Sequence, residues 1–423
     1  MTSTSGQSST CPDQLIEPEQ IIEEIYRAEW GRLLSLLVAR TRRLDLAEDG
    51  LSEAFAKACE RWPGRGMPAN PSGWLFTTAY RYVVDHLRAE AVAGRKAPLL
   101  AVRAEWVPPE DLAVELADDR LHLILLCCHP ALARESQSAL ALRLVLGTST
   151  EQLARLFLVS RATMAARLTR AKRKIVRAGI PLGTPLGEEL RNRLDEVCRT
   201  IYLAFTAGYT PMVGVELLRA DLAGDAVRLA AVLHDLEPDA TQVRSMLALL
   251  LLQHSRRDAR QRHGRLVPLA DQDRSTWHQD EIRTGLELIA EVEQQDGYAE
   301  ELRLQALIAA EHASAATAPA TDWAMIERYY ADLDARTGSP IVRLGRAVAV
   351  AMVEGPQAGL AMLSTLEATL PAHHRVAAVR AELAQRAGEL DLADASYERA
   401  LTLCHNDAER AHLQEKLDAL RTD

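Results

Sequence analysis

Through most of the chain, apolar residues recur every three or four positions, and alternation with a period of two is scarce. That spacing lines apolar side chains along one face of a helix, so it predicts an all-α protein. The pattern is clearest between Ser160 and Arg177. Met164, Leu168, Ala171 and Ile175 form an apolar stripe, while Thr163, Arg167, Arg170, Lys174 and Arg177 recur at the same spacing on the other side. Lys172 and Arg173 flank the basic row, and no acidic residue interrupts it. Upstream, Thr148 to Phe157 predicts a short amphipathic helix, with a Ser/Thr cluster as cap and Leu153, Ala154 and Phe157 as buried face. Leu158, Val159 and Ser160 then make a turn, with Ser160 capping the basic helix. A short helix, a tight turn and a longer basic helix predict a helix-turn-helix.

The same periodicity divides the rest of the chain. After a tail over residues 1–17, a first helical region spans residues 18–95. In it Ile21, Ile22, Ile25, Tyr26, Trp30, Leu33, Leu34 and Leu37 mark a long amphipathic helix. A second helix is predicted from Ala47 to Arg61. A loop from Trp62 to Asn70 follows, forced by Pro63, Gly64, Gly66 and Pro68. Asn70 caps a third helix, with Pro71 at its first position, where a missing N–H costs nothing. Residues 96–117 read as a linker, interrupted by Pro98, Pro108 and Pro109 and acidic through Glu105, Glu110, Asp111 and Glu115. Residues 118–180 hold the helix-turn-helix behind a leading helix, Arg120 to Cys127. Pro181, Gly183, Pro185 and Gly187 mark the next boundary.

Residues 181–423 form a second helical body. Near its end, Gly388, Leu390, Ala393, Tyr397 and Ala400 fall on the offsets of a tetratricopeptide helix pair. Small residues let the two helices close, and Tyr397 fills the gap between them. A looser unit lies about 33 residues earlier, with Gly355 at the turn and Leu360 and Ser364 after it. An irregular helical bundle is the alternative.

Charge changes the picture at one place. The chain has a formal net charge of -10, so a basic helix within it points to a polyanion such as DNA. The acidic excess is expected mostly beyond Arg177. The N-terminal tail, Met1 to Cys11, is rich in Ser and Thr, with neither a basic start nor an apolar core, so it reads as disordered and not as a signal peptide. The longest strongly apolar run, Met246 to Leu252, is too short to span a membrane. Scattered cysteines suit reduced thiols and a cytoplasmic location. Cys127, Cys128 and His129 lack the spacing of a zinc chelate and read as buried, so no metal or cofactor is expected. His373 and His374 read as solvated at a helix start.

The first 180 residues resemble a bacterial RNA polymerase sigma factor of the extracytoplasmic-function type. Leu46 to Trp62 is similar to the helix of sigma region two that docks on the polymerase clamp. Asn70 to Arg88 is similar to the following helix, which holds the −10 element. Cys127 to Leu132 and the helix-turn-helix resemble sigma region four, which reads the −35 element. Ile201 to Tyr209 and Asp271 to Trp277 look like signatures of a subgroup with a large tetratricopeptide-like extension, although Thr206 and Ala207 replace that subgroup's usual Asn-Glu.

The resemblance implies core RNA polymerase and promoter DNA as partners. Arg161, Thr163, Arg167 and Arg170 become candidates for −35 bases and phosphates, since guanidinium forks pair with guanine or phosphate. Lys172, Lys174 and Arg177 become phosphate contacts. A melted −10 strand needs aromatic and guanidinium planes, which brings in Asn70, Trp74, Tyr80, Arg81 and Arg88. Asn70 also reads simply as a cap and Trp74 simply as core. Asp49 and Glu53 are implied at the polymerase clamp, or else they form a plain solvated face.

A second class of function, an autonomous helix-turn-helix regulator with a tetratricopeptide-like sensor, explains the basic helix equally well but leaves residues 18–95 without work. An enzyme is not expected, because no phosphate-cradling loop or paired catalytic set stands out. The extension is expected to offer a concave surface to a protein or peptide. Tyr202, Leu203 and Phe205 are expected either to dock it near region four or to fill its own core.

Overall fold

The computed structural model describes residues 18–93, 116–157, 159–177, 187–209, 220–262 and 265–422. The N-terminal tail, most of the linker, and Pro181, Gly183 and Pro185 lie outside the described residues. The described residues are almost entirely helical. Their one sheet pairs β1 (Gln261–Arg262) with β2 (Arg265–Leu266) antiparallel. The chain forms two compact units, residues 1–119 with 144–147, and residues 120–143 with 148–423.

In the first unit, α1 (Pro18–Thr41), α2 (Leu44–Arg65) and α3 (Pro71–Ala93) pack on one another. Tyr26, Trp30 and Phe55 meet with ring centroids 4.9 to 6.1 Å apart. Gly50 lets α2 approach α3: a Cβ there would stand 2.8 Å from the Ala79 carbonyl oxygen. Arg43 bonds both Asp45 and Glu90, tying the start of α2 to the end of α3. The sequence places the end of the second helix at Arg61, but α2 runs on through Pro63 and Gly64 to Arg65. Proline removes one backbone donor and leaves the carbonyl four residues earlier unpaired. That residue, Cys59, is exposed, so water can take the bond. Gly66, at φ 79°, ends the helix, its N–H donating to Trp62 O.

Helix α4 (Leu116–Cys127), whose start precedes the expected Arg120, falls mostly in the second unit, as does α5 (Arg134–Leu146), followed by α6 (Thr150–Leu156) and α7 (Arg161–Arg177). A short α8 (Glu188–Arg191) leads into α9 (Leu194–Tyr209), α10 (Ala220–Leu236) and α11 (Thr241–His254). Region α4–α5 and the helices after α8 share buried contacts. Arg193, 5% exposed, donates to Leu125 O at 3.1 Å. The Thr200 hydroxyl lies 3.5 Å from Cys128 Sγ and 3.4 Å from Ser138 Oγ. Arg120 pairs with Asp225 at 3.0 Å, and Arg134 with Glu196. Burial pushes the Cys128 thiol up to about 12, which keeps it protonated and unreactive. It is therefore Arg193 and Thr200 that α8–α9 turn toward α4–α5, while Tyr202 and Phe205 take the second of their two expected places, inside the extension. The Tyr202 hydroxyl donates to Gln305, and Phe205 sits edge-on to His254, both inside the extension.

The remaining helices are α12 (Gln279–Ala290), α13 (Gly297–Ser314), α14 (Trp323–Thr337), α15 (Pro340–Glu354), α16 (Pro356–Thr369), α17 (His374–Ala387), α18 (Leu390–Leu403) and α19 (Asp407–Thr422). From α13 onward each helix packs on the next. Three apolar clusters explain why. Ile308, Ile326 and Ala349 join α13, α14 and α15. Leu344, Leu363, Leu366 and Leu383 join α15, α16 and α17. Ala381, Tyr397, Leu413 and Leu417 join α17, α18 and α19. Helices α15 and α17 each serve two clusters, so the core is a continuous row, as in a stacked-repeat array. Gly355 and Gly388, both at positive φ, make the turns inside two of the helix pairs. Tyr397, 1% exposed, fills the α17–α18 gap, with its hydroxyl 3.1 Å from Gln385 Oε1.

Candidate nucleic-acid interface

Helix α6 opens with a reciprocal capping box. Gln152 N donates to Ser149 Oγ at 3.1 Å, and Ser149 N donates to Gln152 Oε1 at 2.9 Å. The turn closes where Val159 N donates to Ala154 O. Ser160 then caps α7, accepting from Thr163 N at 3.1 Å. The stripe of Met164, Leu168, Ala171 and Ile175 is buried, none of them more than 5% exposed. This burial fixes the rotation of α7 and turns its basic face outward.

Arg161, Thr163, Arg170, Arg173, Lys174 and Arg177 are exposed, whereas Arg167 and Lys172 are half-buried. The Thr163 hydroxyl lies 2.8 Å from Ser160 Oγ. Arg167 reaches back over the Phe157 ring at 5.9 Å, a contact between α7 and the end of α6. Arg170, Arg173, Lys174 and Arg177 together line one open hollow of about 460 Å³. The sequence pattern places Arg173 beside the basic row, and in the fold it joins this group. Among the described residues, Arg161, Arg170, Arg173, Lys174 and Arg177 form no ion pair. The four cations leave this face of α7 strongly positive.

In the first unit, Asn70 caps α3 by accepting from Gly73 N at 2.8 Å. Trp74 is half-buried and meets Trp62 edge to face at 5.5 Å. Tyr80 stacks on Phe76 with centroids 6.0 Å apart and planes 11° apart. Arg81 and Arg88 are exposed, and Arg88 lies 3.7 Å from Asp85. Asn70, Trp74, Tyr80, Arg81 and Arg88 therefore lie along the start and body of α3. Asp49 is exposed on α2, and Glu53, one turn on, pairs with Lys57 at 3.2 Å.

One donor group among the described residues has the composition of a metal site. His374, Cys404 and Glu409 bring ligand atoms within 4.8 Å of one another. Each is already engaged: Glu409 bonds His374 at 2.6 Å and Arg375 at 2.7 Å, and the Cys404 thiol donates to Asn406 O. The group ties the start of α17 to α19. His374 is thus a half-buried hydrogen-bond partner of Glu409, not the solvated residue expected, because its partner lies 35 positions away in sequence. No helix among the described residues is long and apolar enough to cross a membrane.

Comparison with known proteins agrees with this geometry. Residues 25–92 match sigma-70 region 2, and residues 122–175 match sigma-70 region 4. These two modules define a sigma factor that recognises promoter DNA. Residues 193–293 match a family of unknown function, DUF6596. An uncharacterized protein of Rhizobium meliloti (strain 1021) is 37% identical over 409 residues, covering 92% of this chain and 93% of its own. No solved structure matches the chain. The chain belongs to the sigma-70 family, with the arrangement of an extracytoplasmic-function-like sigma factor carrying a C-terminal extension.

Proposed function

We propose that the chain binds core RNA polymerase, directs it to promoters with a −35 and a −10 element, and starts transcription under the control of its extension. The reading assigns residues 18–95 to the clamp and the −10 element, 118–180 to the −35 element, and 181–423 to regulation or protein interaction. Its strongest support is α7, with a buried apolar face, a capped start and an outer row of cations without internal acids. In this reading α7 lies in the major groove. Arg161, Thr163, Arg167 and Arg170 meet bases or nearby phosphates, and Lys172, Lys174 and Arg177 neutralise the backbone. Asn70, Trp74, Tyr80, Arg81 and Arg88 hold the unpaired −10 strand, while Asp49 and Glu53 meet basic residues of the clamp. The row of helices from α13 to α19 is read as tetratricopeptide-like, offering its surface to a protein or peptide.

The extension is read as required for activity. Deleting it removes Arg193 from Leu125 O, Thr200 from Cys128 and Ser138, and Asp225 from Arg120. Region four would then expose groups it normally buries. Transcription reconstituted from core polymerase, a promoter library and either the full chain or a chain ending at Ile180 tests both parts. The full chain should select promoters sharing a −35/−10 pair, and the shortened chain should lose that activity at equal levels of folded protein. Sequence-specific duplex binding to which core polymerase adds nothing would replace this reading with an autonomous regulator. Higher activity of the shortened chain would make the extension an inhibitor.

A further inference from the structure

Three helix ends meet near the C-terminus of the chain. Helix α17 begins at His374, α18 ends just before Cys404, and α19 carries Glu409 in its first turn. Local bonds fix these positions. The Asn406 side chain caps α19, accepting from Ala408 N at 3.1 Å and from Glu409 N at 2.9 Å. Arg410, one residue on, donates to Leu401 O at 3.0 Å and holds α19 to the last turn of α18. A His374 ring nitrogen, Cys404 Sγ and a Glu409 carboxylate oxygen therefore come from three separate helix ends to lie within 4.8 Å of one another.

The two oxygens of Glu409 are divided between partners. His374 Nε2 shares a hydrogen with Oε2 at 2.6 Å, while Arg375 Nη2 donates to Oε1 at 2.7 Å. Arg375 thus occupies the oxygen that His374 does not use and fixes the rotation of the carboxylate, as groups behind a metal ligand do. Cys404 is 1% exposed, and its thiol makes a long bond of 3.5 Å to Asn406 O. His374 and Glu409 are half-buried, so an ion has a way in from solvent. A tetrahedral zinc spaces its ligand atoms roughly 3.3–3.7 Å apart. Side-chain shifts of about 1 Å reach that spacing, with His374 and Glu409 parting slightly and the rest closing from within 4.8 Å. A thiolate, an imidazole and a carboxylate suit Zn²⁺, whereas Mg²⁺ and Ca²⁺ favour oxygen alone.

We propose that His374, Cys404 and Glu409 bind one Zn²⁺ ion, with water in the fourth position, and so clip α17, α18 and α19 together. Binding releases the Cys404 thiol proton to solvent. The imidazole keeps one proton, on Nδ1, so that Nε2 offers its lone pair to the metal, and Arg375 stays on Oε1. Without zinc the same residues keep the hydrogen bonds described above. The proposal concerns metal binding alone and does not depend on the polymerase reading.

The test strips the full chain of metal with EDTA, removes the chelator, and titrates Zn²⁺ in competition with a chromophoric chelator. One zinc per chain should bind with a Kd below about 10 µM. Co²⁺ in its place should give a thiolate-to-cobalt charge-transfer band and the strong visible bands of four-coordinate cobalt. Cys404→Ser should remove the charge-transfer band and weaken zinc binding at least about tenfold, and His374→Gln should weaken it comparably. Saturating zinc should raise the melting temperature of the wild type by about 2 °C or more and leave that of Cys404→Ser unmoved. No zinc bound by about 10 µM would overturn the proposal. So would a cobalt complex without the charge-transfer band, or undiminished zinc affinity in folded Cys404→Ser. Should Cys404→Ser not fold, the wild-type cobalt spectrum and His374→Gln still decide.

Discussion

Two arginine-rich regions of this molecule look alike in sequence and differ in what their charges meet. In α17–α19, Arg375 pairs with Glu409, Arg380 with Glu367, Arg386 with Glu382, and Arg421 with Asp394 and Glu398. Those guanidiniums are used internally, joining neighbouring helices or bracing one helix. In α7, by contrast, Arg161, Arg170, Arg173 and Arg177 form no ion pair among the described residues. A basic run that has found its acids is part of the fold. A basic run without internal acids is open to an external polyanion, and under the function proposed above that polyanion is promoter DNA.

The contrast can be broken by mutation. The largest effect is expected at α7. Arg170→Ala should cost up to about 3 kcal/mol of −35 duplex affinity if the guanidinium is bidentate to a base, and should relax preference at one position. Its folding stability should shift by no more than about 0.5 kcal/mol, because the residue is exposed and unpaired. Lys174→Ala should instead weaken all sequences alike and reduce the salt dependence by about one phosphate contact. Fluorescence anisotropy across salt and site variants separates the two. Equal losses on every duplex would refute the division between base and backbone contacts.

At the paired arginines the signature should invert. Glu409→Gln should cost about 2 kcal/mol of stability, since it breaks two charge-assisted bonds in a half-buried position, and should leave DNA affinity unchanged. Burial pushes the Glu409 carboxyl up, but the His374 and Arg375 bonds outweigh it and hold the group at about 2, below its ordinary 4.5. A depressed carboxyl stabilises the fold above its unfolded pKa and loses that contribution as pH falls through its folded pKa. Wild type should therefore lose Glu409's share of stability between pH 4.5 and about 2, and the variant should not. Parallel melting curves of the two proteins through that window would refute the assignment.

A comparably small effect on folding is expected on α2. Asp49→Lys together with Glu53→Lys should change stability by about 0.5 kcal/mol, the scale of exposed charges and of a surface pair such as Glu53–Lys57, yet should weaken retention of core polymerase in a pull-down. Full retention by the folded double variant would remove α2 from that interface.

What the sequence revealed depended on how far apart the partners stand. Helix α7 was legible because its cap, Ser160, and its stripe, Met164 to Ile175, lie within one helix length. The turns at Gly355 and Gly388 were legible for the same reason, since positive φ is a local demand. Pro63 was misjudged because helix breaking depends on whether the orphaned Cys59 carbonyl faces water, a tertiary fact. The His374–Glu409 pair and the Arg193–Leu125 bond join residues 35 and 68 positions apart, and no spacing rule reaches them. The orientation of α9 was left open for the same reason: Tyr202 and Phe205 find their partners inside the extension at distant positions, and the short polar Thr200 does the joining to α4–α5.

The Arg193–Leu125 and Thr200–Cys128 bonds also carry a message about timing. A chain leaving the ribosome N-terminus first can form α4 to α7 early, because their own turns are local. The carbonyl of Leu125 and the thiol of Cys128 must wait for residues 68 and 72 positions downstream. Region four therefore cannot finish folding until α9 has been synthesised. A message truncated before Thr200 would yield α4 and α5 without the side chain that bonds Cys128 and Ser138.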